Sequence, residues 1–135
     1  MFEETISNAL LADTELTDLI GENVEPLTVA QDVPRPYAAY LITDREDPSP
    51  SHDGPSSIVV ATYDVAVVAD TYKEVAEISE HVRRILKNYS VIEGDTQVFW
   101  TRFQSTSDIE QALEAGNEKP TYLRLLTFKA MYRTT

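Results

Sequence analysis

The first 21 residues carry apolar side chains at helical spacing. Intervals of three and four residues separate Phe2, Ile6, Ala9, Leu10, Leu16, Leu19 and Ile20. Such spacing places the apolar side chains on one face of a helix. A break near Asp13 and Thr14 divides the pattern, with Thr14 as a candidate cap, and Gly21 suits a helix end. The pattern predicts two short helices.

The next 35 residues favour extended backbone. Residues 23–29 read as a short strand or an extended linker. Prolines at 34 and 36 bias the residues before them away from helix, so residues 37–46 are predicted to form a strand. Residues 47–56 contain three prolines and one glycine, and that composition predicts a flexible loop.

The middle of the chain combines a long strand with the clearest helix. Residues 58–69 are largely apolar at both sets of alternating positions, as in a strand covered on two faces. Residues 71–88 have an apolar stripe and a charged opposite face. The stripe consists of Tyr72, Val75, Ile78, Val82, Ile85, Leu86 and Tyr89. We expect this amphipathic helix to dock on a sheet through the stripe.

The last forty residues predict two more strands, at 96–106 and 120–133, with a short helical turn at 108–115 between them. Gly116-Asn117 is a turn signal. The element order is therefore helix, helix, strand, strand, strand, helix, strand, strand. This order predicts an α+β fold, with a mainly antiparallel or mixed sheet of about five strands. The long amphipathic helix and the N-terminal helices pack on that sheet. A length of 135 residues fits one domain.

Charge is distributed unevenly along the chain. The net charge is −12; residues 1–70 hold 14 acidic and two basic residues, and residues 71–135 hold nine of each. A chain of this charge repels phosphates and anionic membranes. We therefore expect no membrane binding and no specific binding of nucleic acid. The acidity either serves solubility alone or marks an acidic face that meets a different partner from the neutral one.

Residues able to carry chemistry are sparse. There is no cysteine, and the two histidines are His52 in the loop and His81 on the helix, both expected to be exposed to solvent. A zinc site needs three or four ligands, and nucleophilic catalysis needs an activating base held next to the nucleophile. We predict no enzyme activity, no catalytic residue, no metal site and no cofactor. A small hydrolase using carboxylates around His52 is the alternative from a different class.

One carboxylate lies inside an apolar strand. Asp64 is flanked by apolar residues in the segment 58–69, and a charge there needs a partner. We expect a basic residue across the sheet, Arg124 or Arg102. Trp100 and the tyrosines are expected mainly in the core, with some of them at contacts between subunits.

The order of these features resembles the tail terminator, or tail completion, proteins of long-tailed bacteriophages. The resemblance covers about residues 2–90. It is carried by Pro34-Arg35-Pro36-Tyr37, a strand containing Tyr40, the Asp53-Gly54 loop, Tyr63-Asp64-Val65, and Asp70-Thr71-Tyr72 followed by Glu74. The last two strands match in order and length.

This resemblance implies a structural virion protein that is assembled in the host cytoplasm. It implies a homohexameric ring at the head-proximal end of the tail tube, which ends tube polymerisation and offers a joining surface to the head connector. DNA then passes through the lumen without specific binding. The alternatives are a head-closure or connector protein of the phage neck, and a small acidic cytoplasmic binding module.

The charged strand end, the loop and the helix face are the expected contact surfaces. A loop without regular structure can order when a partner docks, and an exposed charged helix face suits packing between subunits. The interface candidates are Asp44, Glu46, Asp47, His52, Asp53, Arg83, Arg84 and Lys87.

Overall fold

The computed structural model describes residues 1–27, 35–46, 58–111 and 121–134, without the side chains of 109–111. The predicted loop at 47–56 and the predicted turn at 116–117 lie outside these ranges. The described residues form three helices and a six-stranded sheet. This confirms the α+β class.

The two N-terminal helices form as predicted. Helix α1 spans Phe2–Leu11 and helix α2 spans Thr14–Ile20. The predicted cap of α2 is wrong by one residue, because the side chain of Asp13 accepts a hydrogen bond from the Leu16 N–H at 3.0 Å. Thr14 is instead the first helical residue. Gly21 ends α2 with a φ of 64°, a left-handed conformation that glycine adopts without strain.

The amphipathic helix is shorter than predicted. Helix α3 spans Tyr72–Leu86, and Thr71 caps it by accepting a hydrogen bond from the Glu74 N–H at 3.2 Å. The chain leaves the helical path at Lys87, whose backbone is extended with a φ of −65° and a ψ of 125°, and Asn88 follows with a φ of 61°. The predicted stripe is buried at Val75, Ile78, Val82 and Leu86. Tyr72 is 55% exposed, and its hydroxyl accepts a hydrogen bond from the Arg124 guanidinium at 3.1 Å. No helix in the described ranges is long and apolar enough to cross a membrane.

All six strands belong to one mixed sheet. Their bounds are β1 Val24–Pro26, β2 Tyr37–Glu46, β3 Ile58–Ala69, β4 Val91–Glu93, β5 Thr96–Gln111 and β6 Thr121–Thr134. Their order across the sheet is β1-β2-β3-β6-β5-β4. Strands β1 and β2 are parallel, and every other neighbouring pair is antiparallel.

Two sequence predictions about the sheet are wrong. The prediction of about five strands missed β4, whose three residues are too few to show a period. The helical turn predicted at 108–115 is wrong for residues 108–111, which continue β5 and pair with residues 121–124 of β6. Pairing with β6 decides the conformation there, and the sequence alone does not show which strand will be the partner.

The helices and one face of the sheet enclose the core. Tyr63 on β3 and Phe128 on β6 lie at its centre, with ring centroids 5.4 Å apart. Phe2 of α1 stacks on Tyr132 at 4.2 Å, and the buried stripe of α3 packs into the same cluster. Tyr63 and Tyr132 are thus core residues, as predicted.

Trp100 was predicted in the core, and that prediction is wrong. Val98 pairs with Tyr132 on the core face, but the register then shifts, and Trp100 pairs with Met131 on the opposite face. The extra residue, Phe99, forms a β-bulge. Because side chains alternate with a period of two, one inserted residue reverses the faces of the residues that follow it, here as far as the second bulge between Phe103 and Ser105. Trp100 is consequently only half-buried.

Truncating the core side of α3 should destabilise the protein. Leu86 is fully buried between α3 and the sheet, so Leu86→Ala should lower the free energy of unfolding by about 2–5 kcal/mol. Ile92 is 76% exposed, and the control Ile92→Ala should change it by less than about 0.5 kcal/mol. Urea unfolding followed by circular dichroism measures both. Equal effects of the two substitutions would contradict this packing.

Candidate interaction surfaces

The sheet has a second face, called here the outer face, that points away from the core. Ala39 of β2 and Ala66 of β3 form a small buried cluster there, with Tyr37 and Leu125 packed against it. None of these four residues belongs to a helix, whereas the core cluster includes residues of all three helices. Among the described residues, the outer face is therefore lined by strands alone.

Asp64 lies on the outer face, and its predicted partner is wrong. Its carboxylate accepts a hydrogen bond from the Thr127 hydroxyl at 2.7 Å. Arg124 lies on the core face instead, where it binds Asp108 through two hydrogen bonds of 2.5 and 3.3 Å. Arg102 stacks over the Trp100 ring at 4.6 Å from its centroid. A hydroxyl donor from the neighbouring strand thus takes the place of the expected cation.

Two of the predicted interface residues form an acidic edge at the end of β2. Asp44 and Glu46 are exposed, and their register with Thr62 and Val60 places both on the outer face. Arg45 between them points to the core face, where it pairs with Glu3 of α1. No ion pair joins Asp44 or Glu46 to any other residue in the described ranges. The neighbouring candidates Asp47, His52 and Asp53 lie outside those ranges.

Two cations that are not among the predicted interface residues lie opposite each other, one on β5 and one on β6. Arg102 and Lys129 are register partners on the outer face. Like charges directly opposite one another on a sheet repel, and in the described part of the chain no carboxylate pairs with either of them. Spacing along the sequence could not bring together residues 27 positions apart; the strand register does. We call Arg102 and Lys129 the cationic pair.

The three candidate cations of α3 are not equivalent. Arg83 lies over the Phe103 ring at 4.4 Å from its centroid. Arg84 binds Asp13 of α2 at 2.9 Å and contacts the ring of His81 at 3.1 Å. Lys87 is exposed just beyond the helix end. The ion pair of Arg84 with Asp13 therefore joins the start of α2 to α3.

The described residues form no recognisable metal-binding or catalytic site. No group of three or more histidine, cysteine or acidic residues in the described ranges is placed to hold a metal ion. His81 is less exposed than predicted, with 26% of its side chain accessible, and it lies 3.5 Å from the Glu15 carboxylate. The depression beside it is shallow and is lined by Glu80, Arg83, Arg84, Lys87 and Asn88.

Comparison with known proteins identifies the family to which the chain belongs. The family model for tail completion protein gp17 matches residues 4–133. The chain belongs to the tail completion protein gp17 family. This confirms the resemblance found in the sequence and extends it through the last two strands. The protein is therefore a structural component of a bacteriophage tail.

A solved structure shows the same fold. One chain in the virion of a native gene transfer agent particle superposes with a TM-score of 0.68, over 95% of this chain and 91% of that chain. The two sequences are 15% identical, so the likeness shows the shared fold. A comparison with curated proteins finds no match.

The Asp13 carboxylate links the α2 cap to Arg84 of α3, and this link should depend on pH. Burial raises the pKa of Asp13. The hydrogen bond from the Leu16 N–H and the Arg84 guanidinium lower that pKa by a larger amount, so it lies below its ordinary value. A carboxylate with a lowered folded-state pKa stabilises the fold above its unfolded pKa, about 3.9 for aspartate. That stabilisation is lost as the pH falls through the folded-state pKa.

Asp13→Asn should therefore lower stability at pH 7 but not in acid. Asparagine keeps the helix cap and removes the charge that Arg84 binds. We expect the stability difference from the natural protein to shrink as the pH falls below about 4. Urea unfolding at several pH values from 7 to 3 measures it. Asp18→Asn, at an exposed position of the same helix, is the matched control, and a difference for Asp13→Asn that is constant with pH would contradict the ion pair.

Proposed function

We propose that this tail completion protein forms a ring that caps the head-proximal end of the tail tube. The ring ends tube polymerisation and presents the joining surface for the head connector. The observation that carries the proposal is a sheet with an outer face lined by strands alone and unpaired charges at its two sides, in a chain whose family is named for tail completion. Such a surface is available for contact with other subunits.

This geometry supports the association of identical subunits. The acidic edge and the cationic pair are different patches, so a contact between them is heterologous, and heterologous contacts close into rings when the rotation fits. We propose six subunits, each a single domain over residues 1–135. Asp47, His52 and Asp53, together with Lys87 just beyond the end of α3, are proposed contacts to the tube or the connector.

The chain's charge suits the lumen of such a ring. Acidic side chains repel DNA phosphates, and screening weakens this only beyond about 8 Å at physiological ionic strength. Acidic residues along the channel would let DNA pass without being held. We propose that Asp44 and Glu46 contribute to this lining or lie close to it.

The proposed function is tested with purified tube protein that polymerises in vitro. Tube protein alone should grow tubes of unrestricted length, because each end offers a fresh site for addition. Adding the protein should shorten the tubes and leave a ring at one end, as seen by negative-stain microscopy. Unchanged tube lengths with bare ends would contradict the cap. Binding to isolated connector but not to tube would indicate a head-closure protein instead.

A further inference from the structure

We propose that neighbouring copies join by pairing the open edge of β2 in one copy with the open edge of β5 in the next, the acidic edge meeting the cationic pair. This names the contact by which the ring would close, and it rests on the proposed function. The occupant of each edge is thus a second copy of this chain.

Both strands have an edge without a ladder partner among the described residues. Strand β1 pairs only with Ala38–Tyr40 of β2, which leaves the outer edge of residues 41–46 unpaired. Strand β4 pairs only with Thr96–Val98 of β5, and the Thr101 carbonyl accepts a hydrogen bond from the Asn88 N–H. From residue 102 to residue 111, this edge of β5 has no ladder partner among the described residues. Exposed strand edges present rows of N–H and C=O groups that another strand can bind.

The two edges have the correct relative direction. Strands β2, β3, β6 and β5 are successive antiparallel neighbours, so β2 and β5 run in opposite directions. A second copy placed beside the first, with its outer face on the same side, therefore offers an antiparallel β2 to the edge of β5. The new ladder is short, because β1 of the second copy lies beside Ala38–Tyr40. Only residues 41–46 of β2 can pair with β5, and β5 has to diverge from the second copy after Ser105, next to its β-bulge between Phe103 and Ser105.

The charged residues of the two edges lie in the same row of register partners across the sheet. Register partners place Asp44, Thr62, Lys129 and Arg102 in one row across the outer face. If the row continues between copies, Asp44 of one copy lies opposite Arg102 of the next, with Lys129 one strand further in. Opposite charges at such cross-strand positions attract. The contact would neutralise two cations that repel each other within a single copy.

A second copy explains the cationic pair better than a nucleic acid does. Two cations on a chain with a net charge of −12 make a weak phosphate-binding surface, because the surrounding field repels DNA. The same chain carries a matching acidic pair, Asp44 and Glu46, on the opposite side of the sheet. A second copy of the chain therefore carries the acidic residues that complement the cationic pair.

Two charge reversals test the contact. The acidic-edge variant carries Asp44→Lys and Glu46→Lys, and the cationic-pair variant carries Arg102→Glu and Lys129→Glu. Each variant alone places like charges at every contact, so we expect at least a tenfold loss of rings on tube ends. An equal mixture should recover rings, because alternating the two variants restores attraction at every contact. Sedimentation and negative-stain microscopy in the presence of tubes measure the ring fraction.

The matched control is Asp18→Lys with Glu22→Lys, which makes the same charge change at exposed positions outside the sheet and should form rings normally. Circular dichroism checks that every variant is folded. Single variants that form rings normally, or a mixture that fails to recover them, would overturn this inference and leave the proposed function standing. Loss of duplex DNA binding in the cationic-pair variant, with ring formation intact, would also overturn it. Absence of rings and caps with the natural protein would overturn the proposed function itself.

Discussion

The pairing of β6 on both sides is the constraint on which the rest of the structure depends. It is hydrogen-bonded to β3 over residues 122–133 and to β5 over most of residues 121–134. These two ladders hold together residues distant in sequence and fix which side chains share a face. The core around Tyr63 and Phe128, the outer face and the separation of the two charged edges all follow from this register.

Because of the strand order, the uneven distribution of charge along the chain becomes an uneven distribution of charge across the sheet. The acidic first half supplies β2 at one side of the sheet, and the neutral second half supplies β5 at the other. One interpretation of the sequence was an acidic face and a neutral face; the other was that the acidity serves solubility alone. On the sheet, the structure shows an acidic edge on β2 and a cationic pair on β5 and β6, on one and the same face and separated by β3. That arrangement suits contacts between successive copies better than contacts with different partners on opposite sides.

Long periodic elements could be predicted from the sequence, whereas pairing could not. The bounds of β3 follow from an apolar run between two turn signals, and the stripe of α3 from its spacing. Strand β4 is too short to show a period. Trp100 was placed wrongly because a bulge inverts its face, and bulges depend on the partner strand. The cationic pair was missed for the same reason: only the register between β5 and β6 places Arg102 opposite Lys129.

The contact between copies can be tested most directly with a disulfide, because the chain contains no cysteine. Leu41→Cys and Ser105→Cys, combined in one chain, leave the acidic edge and the cationic pair intact. Within one copy β2 and β5 are three strand spacings apart, about 14 Å, which is too far for a disulfide. Oxidation of assembled rings should give covalent multimers of increasing size on a denaturing gel. Rings visible by microscopy that dissociate into monomers after oxidation would contradict the account.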